Sequence, residues 1–100
     1  MNNQYLDVFL EEAKEHIENL NKYLLELENN PSQEIVDEIF RSAHTVKGMS
    51  GTMGSTQLLE LTHEMENLLQ EIRSQEISVN EHIIDTLLKS VDILEELIHD

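Results

Sequence analysis

The chain has 100 residues with 21 Asp and Glu against six Lys and Arg, a net charge of −15, which argues against nucleic acid and anionic membrane surfaces as partners because both demand clustered cations. Cysteine is absent, so disulfides, thiolate metal sites and cysteine nucleophiles are excluded. Hydrophobic residues are 39%, aromatics 4%, and Pro31 is the single proline, which favours one all-α domain, residues 1–100, built from Leu- and Ile-rich helices.

The opening MNNQYLDVFLEE has no basic stretch leading into an apolar one, and no apolar run approaches 18 residues. Neither a signal peptide nor a membrane span is expected, and the expected location is the cytoplasm. From there Leu6, Phe9, Leu10, Ala13, Ile17, Leu20, Leu24 and Leu27 recur mostly in steps of three and four, the spacing of a long amphipathic helix. It stops at ENNPSQ, where Asn30 is expected to cap a second helix with Pro31 at its first position. Ile35, Val36, Ile39, Phe40, Ala43 and Val46 form that helix's apolar stripe. The chain then turns around Gly54, with Ser55 as the expected N-cap of a third helix whose stripe is Leu58, Leu61, Met65, Leu68 and Ile72. After the break at SQEISVN, Ser78 or Asn80 opens a fourth, with Ile84, Leu87, Val91, Leu94 and Ile98 inward. Four helices with short connections predict an antiparallel up-down-up-down four-helix bundle.

One stretch breaks this regularity. AHTVKGMSGTMG, residues 43–54, holds all three glycines, at Gly48, Gly51 and Gly54, and no Asp or Glu lies between Ile39 and Leu59. A glycine in a helix interior costs about 1 kcal/mol relative to alanine, so a helix that runs into this stretch invites a functional explanation. Projected at about 100° per residue, His44 lies roughly 120° from the stripe centre, on the flank. Gly48 is its neighbour four residues on and Gly51 falls close by on the next turn, which clears side chains from the patch beside the imidazole. Arg41 and Lys47, three residues to either side, supply positive charge to an arriving anion. On the third helix Glu66 falls roughly 120° from the stripe and His63 a further 60° round. If these helices are neighbours, Glu66 faces His44, and a carboxylate on one ring nitrogen leaves the other unprotonated and nucleophilic. Such a histidine suits phosphoryl acceptance, which needs orientation and charge compensation more than covalent machinery.

Ordinary readings stand beside these. His44 could be a plain surface histidine, Gly54 a helix C-cap, Gly51 a helix-packing glycine, and Arg41 and Lys47 solvated charges. Glu66 is one of many acids and matters only with a partner across the groove. His16, His82 and His99 are assigned to solvent, and Met49 and Met53 to packing at the bundle end.

FRSAHTVKGMSGTMG resembles the phosphoacceptor motif of histidine-containing phosphotransfer (HPt) domains, specifically those at the amino terminus of CheA-type chemotaxis histidine kinases. The likeness continues through YLDVFLEEAKEHIENLN, LTHEMENLLQEIR and the fourth helix, and so covers the whole chain. The resemblance implies that His44 receives a phosphoryl group from ATP bound to a separate CheA-type kinase domain. It then passes the group to an aspartate of response regulators, CheY-like and CheB-like. By the same resemblance Lys47 supports the phosphoryl group, Gly48 leaves room for it, and Glu66 with His63 completes the hydrogen-bonded face. The domain is expected to bind no cofactor itself, to be monomeric, and not to be an enzyme in isolation. The family's kinase, dimerisation and receptor-coupling domains have no counterpart in these residues; a further helix after the bundle and a free-standing phosphorelay protein are both open.

Two rivals are of other kinds. Glu60 with His63, and Glu96 with His99, match the Glu-x-x-His spacing of di-iron bundles, but Glu60 and Glu96 project away from the apolar stripe, and a surface zinc site of His44, His63 and Glu66 is the metal reading that survives. A plain acidic interaction bundle is the other, and it leaves the glycines and the acid-free window unexplained.

Overall fold

Four helices carry the chain: α1 (Gln4–Asn29), α2 (Gln33–Met53), α3 (Thr56–Arg73) and α4 (Glu81–His99). They are seen in a computed structural model that describes residues 4–99, with side chains from 7 to 98. Leu6 of the first apolar stripe, and the solvent assignment of His99, lie outside the described side chains. Each helix packs on its chain neighbour and α1 closes the ring against α4. The result is an all-α bundle with extents of 48 × 21 × 19 Å.

The connections follow from local chemistry. Asn30 does not cap α2, which begins at Gln33; it belongs to the end of α1, its N–H donating to Glu26 O at 2.9 Å. Pro31 holds the residue before it away from helical geometry, so it ends α1 rather than starting α2. Ser32, extended at φ −148°, takes the cap position with no side-chain bond. Gly54 closes α2 at φ 74°, a left-handed conformation open to glycine at little cost. The Ser55 side chain accepts from Leu58 N at 3.3 Å. Asn80 rather than Ser78 opens α4, its Oδ1 accepting from Ile83 N at 2.9 Å. At the end of α3, Glu76 N reaches Glu71 O at 2.9 Å and Gln75 N reaches Ile72 O at 3.0 Å, a Schellman pair with Gln75 at φ 64° where glycine is usual.

The core is the sum of four stripes. Ala13, Ile17, Leu20, Leu24 and Leu27 of α1 meet Ile84, Leu87, Val91, Leu94 and Ile98 of α4, all buried. Each fully buried Leu or Ile removes enough apolar surface from water to stabilise the fold by about 1.5–3 kcal/mol. The α3 stripe differs from expectation: Leu58, Thr62, Met65, Leu69 and Ile72 are inside, while Leu61 and Leu68 are half-buried at its edges. Thr62 can occupy the centre because its hydroxyl donates to Leu58 O at 2.8 Å, which satisfies the polar atom within the helix. Among the described residues no helix is long and apolar enough to cross a membrane.

Candidate functional site

The exposed α2–α3 seam gathers the chemistry. His44 sits on the flank of α2 with its side chain 68% exposed, and its Nδ1 meets Oε2 of Glu66 on α3. Glu66 is only 12% exposed, and its other oxygen, Oε1, accepts from Lys47 Nζ at 2.8 Å. The carboxylate thus spends one oxygen on the imidazole and one on the ammonium. Partial burial works against its charge. The hydrogen bonds from Lys47 and then His44, with their positive charges, outweigh that effect and hold the carboxyl below its ordinary value. Lys47, 29% exposed, reaches Glu66 from one turn beyond His44 on the same helix.

The consequence for the imidazole is a fixed tautomer. A carboxylate only accepts, so in the neutral ring Nδ1 carries the proton and Nε2 keeps its lone pair. Nδ1 faces the seam, and Nε2 is the nitrogen available to a partner. On the amino-terminal side Phe40, one turn earlier on α2, lies nearly parallel to the imidazole, with 8° between planes and 6.4 Å between centroids. Phe40, Glu66, Asn67 and Gln70 line a shallow depression beside the ring.

On the other side is open space. A methyl group placed on Gly48 or Gly51 would meet no atom within 4 Å, so neither glycine is required by packing inside the bundle. That removes the helix-packing explanation for Gly51 and leaves both as unobstructed surface beside His44. Arg41 is 73% exposed and donates to Glu38 Oε1 at 3.1 Å, engaged with an acid on its own helix. His63 is exposed and lies in a separate opening with Lys47, Leu59, Glu60 and Glu64. It is not drawn into the His44–Glu66–Lys47 contacts, so the three donors of the zinc rival are not gathered. Among the described residues no group of three or more His, Asp or Glu side chains is arranged to hold a metal ion.

Two members of this face escape sequence reasoning. Phe40 reads as core, although its position one turn before His44 is a findable signal. Arg73, in the last turn of α3, has no such signal: it sits over the Phe40 ring, 4.7 Å from the centroid, and its Nε lies 3.2 Å from Asp37 Oδ1. That approach is an ion pair without aligned hydrogen-bond geometry.

Residues 4–98 match the Hpt domain family. The chemotaxis protein CheA of Listeria monocytogenes is 48% identical over 101 residues, covering 100% of this chain and 16% of that protein. CheA of Bacillus subtilis is 48% identical over 97 residues, covering 96% of this chain and 14% of that one. The chain therefore spans about a seventh to a sixth of the length of these curated relatives. The solved CheA phosphotransferase domain from Thermotoga maritima superimposes with a TM-score of 0.92 at 41% identity, over 99% of this chain and 95% of that one. Matched along nearly its whole length in sequence and in backbone, the chain belongs to the Hpt domain family.

Proposed function

We propose that this domain is the phosphoryl carrier of a chemotaxis histidine kinase, with His44 as the acceptor. The observation that carries the reading is the Glu66 carboxylate, held by Lys47 and bound to Nδ1 of an exposed imidazole whose other nitrogen faces outward. In the loading step the Nε2 lone pair attacks the γ-phosphorus of ATP held on a CheA-type kinase domain. The bond from that phosphorus to the bridging oxygen breaks, ADP leaves, and a phosphoramidate forms. The ring becomes cationic, since Nδ1 keeps its proton, and Glu66 balances that charge. Lys47 is within reach of the same face to offset charge on the phosphoryl oxygens. In the unloading step a receiver aspartate attacks phosphorus, the P–N bond breaks, and neutral imidazole is restored. CheY-like and CheB-like regulators are the receivers in this proposal, and the cytoplasm is its setting. The domain is the substrate of both transfers and binds no nucleotide of its own.

Support comes from the relatives' identity as CheA proteins and from the site's chemistry. The test is incubation with radiolabelled ATP and a CheA-type kinase domain in trans. The wild type is expected to take one label per chain, acid-labile and alkali-stable, and His44→Gln none, with the fold of His44→Gln unchanged because exposed substitutions usually shift stability by less than about 0.5 kcal/mol. Label persisting in His44→Gln would move the acceptor elsewhere and defeat the proposal.

A further inference from the structure

An imidazole tied by one hydrogen bond is incompletely held. It can still swing about the Nδ1···carboxylate axis, and Nε2 then sweeps an arc instead of presenting its lone pair along one line. In-line attack on phosphorus loses rate with small misplacement, so a second constraint is valuable. The Phe40 ring is placed to supply it, lying parallel to the imidazole on the side away from the glycines. A half-buried phenyl on one helix is itself free to rock unless something holds it.

Arg73 holds it. Its guanidinium carbon lies 4.7 Å from the Phe40 centroid, inside the range of a cation–π contact. The guanidinium is in turn drawn toward α2 by the Asp37 carboxylate, an ion pair with Oδ1 3.2 Å from Nε. The backbone of the same residue is tied down too, since Arg73 O accepts from Gln33 Nε2 at 3.2 Å. A continuous chain of contacts therefore runs from the start of α2 across to the end of α3, back to Phe40, and on to the face of His44. The planar guanidinium suits this place because it stacks on an aromatic face while its edge meets a carboxylate.

We propose that Arg73, acting through Phe40, is a positioning residue that fixes the plane of the His44 imidazole for attack through Nε2. The proposal rests on His44 being the phosphoacceptor. Phe40→Leu removes the flat face while retaining apolar volume; Arg73→Gln removes the cation that steadies it; Arg73→Lys and Phe40→Tyr are the conservative controls.

The experiment has two readouts. One is steady-state phosphorylation by a CheA-type kinase domain with ATP, varying the concentration of this chain. The other is the nitrogen spectrum of the His44 imidazole in the unphosphorylated protein, with the exchange of its Nδ1–H with water. Phe40→Leu and Arg73→Gln are each expected to lower kcat by about tenfold with KM unchanged, and to speed Nδ1–H exchange. The double variant is expected to be no worse than Phe40→Leu alone, because Arg73 works through that ring. Phe40→Tyr is expected to recover most of the loss and Arg73→Lys only part of it, because lysine keeps the cation but not the plane that stacks on the ring. Wild-type kcat and exchange in both single variants would overturn the proposal, as would losses that multiply in the double variant or a rise in KM alone, which would make the pair a docking contact. Should the wild type take no label, the phosphoacceptor reading fails on its own account, and the exchange measurement still decides whether Arg73 and Phe40 hold the ring. Melting curves accompany every variant; if Phe40→Leu does not fold, Arg73→Gln against Arg73→Lys carries the test.

Discussion

The two halves of the bundle are packed by different means. Where α1 meets α4, every buried residue given above is apolar, mostly Leu and Ile. α2 and α3 instead carry all three buried polar side chains of the described residues, Ser42 and Ser50 on α2 and Thr62 on α3. Ser50 and Thr62 give their hydroxyls to their own helix, to Val46 O at 2.7 Å and Leu58 O at 2.8 Å. Small side chains at a helix contact let the axes approach, and α2 with α3 is the most extensively packed pair in the molecule. Close approach is what allows the α2 side chains His44 and Lys47 to share one carboxylate on α3. The apolar half holds the bundle together, and the polar half sets a distance between two helices.

That division can be broken from either side. The largest effect belongs to the apolar half: Leu94→Ala, at a fully buried site, is expected to lower unfolding free energy by about 2–5 kcal/mol. Phosphorylation rate per folded molecule is expected to stay at the wild-type value. Urea titration together with a labelling assay checks both, and a tenfold fall in the per-folded rate would mean the halves are not separable.

Glu66→Gln should do the reverse, slowing phosphorylation by about 10–100-fold with little loss of stability at neutral pH. Its acid dependence sharpens the point. Because the folded state holds this carboxyl below 4.5, the stabilisation it contributes is complete above that pH and lost as pH falls through the lowered folded-state value. Urea midpoints of wild type and variant should therefore differ by a constant amount at higher pH and converge at the acid end. A gap that widens on acidification would reverse the sign and remove the charge from the explanation.

Gly48→Leu separates function from stability in one substitution. Open space surrounds the position, and replacing a helical glycine adds about 1 kcal/mol of stability, yet a bulky side chain beside His44 should cut transfer to a receiver by tenfold or more. A more stable protein that still transfers at the wild-type rate would show that the cleared surface serves no partner. The smallest effect is expected at Gln75→Gly, where relief of the left-handed conformation is partly offset by glycine's freedom in the unfolded chain. A rise of up to about 1 kcal/mol in stability, seen as a shifted urea midpoint at constant slope, should leave phosphorylation untouched.

Much of this was legible in the amino-acid order, and the omissions have physical causes. The α4 stripe could be read in full because all five buried positions are apolar. In α3 a polar residue took the centre: apolarity alone passes over Thr62, whose hydroxyl is satisfied inside its own helix. The juxtaposition of Glu66 with His44 followed from projecting two neighbouring helices. Arg73 over Phe40 did not, because it depends on the register between the helices, which no local pattern encodes. Asn30 misled because α2 begins two residues later than its capping propensity suggested, at Gln33 with Ser32 in the cap position.

The asymmetry around His44 has one more consequence. Side chains on a helix lean toward its amino terminus, and here the imidazole leans toward Phe40, which occupies that side. The approach left free is from the carboxy-terminal direction, over Gly48 and Gly51. A protein bringing a phosphoryl group and a protein taking it away must both reach the same Nε2, so under the proposed function loading and unloading exclude one another in time. The carrier is a shuttle by geometry: it must let go of its donor before it can meet its acceptor.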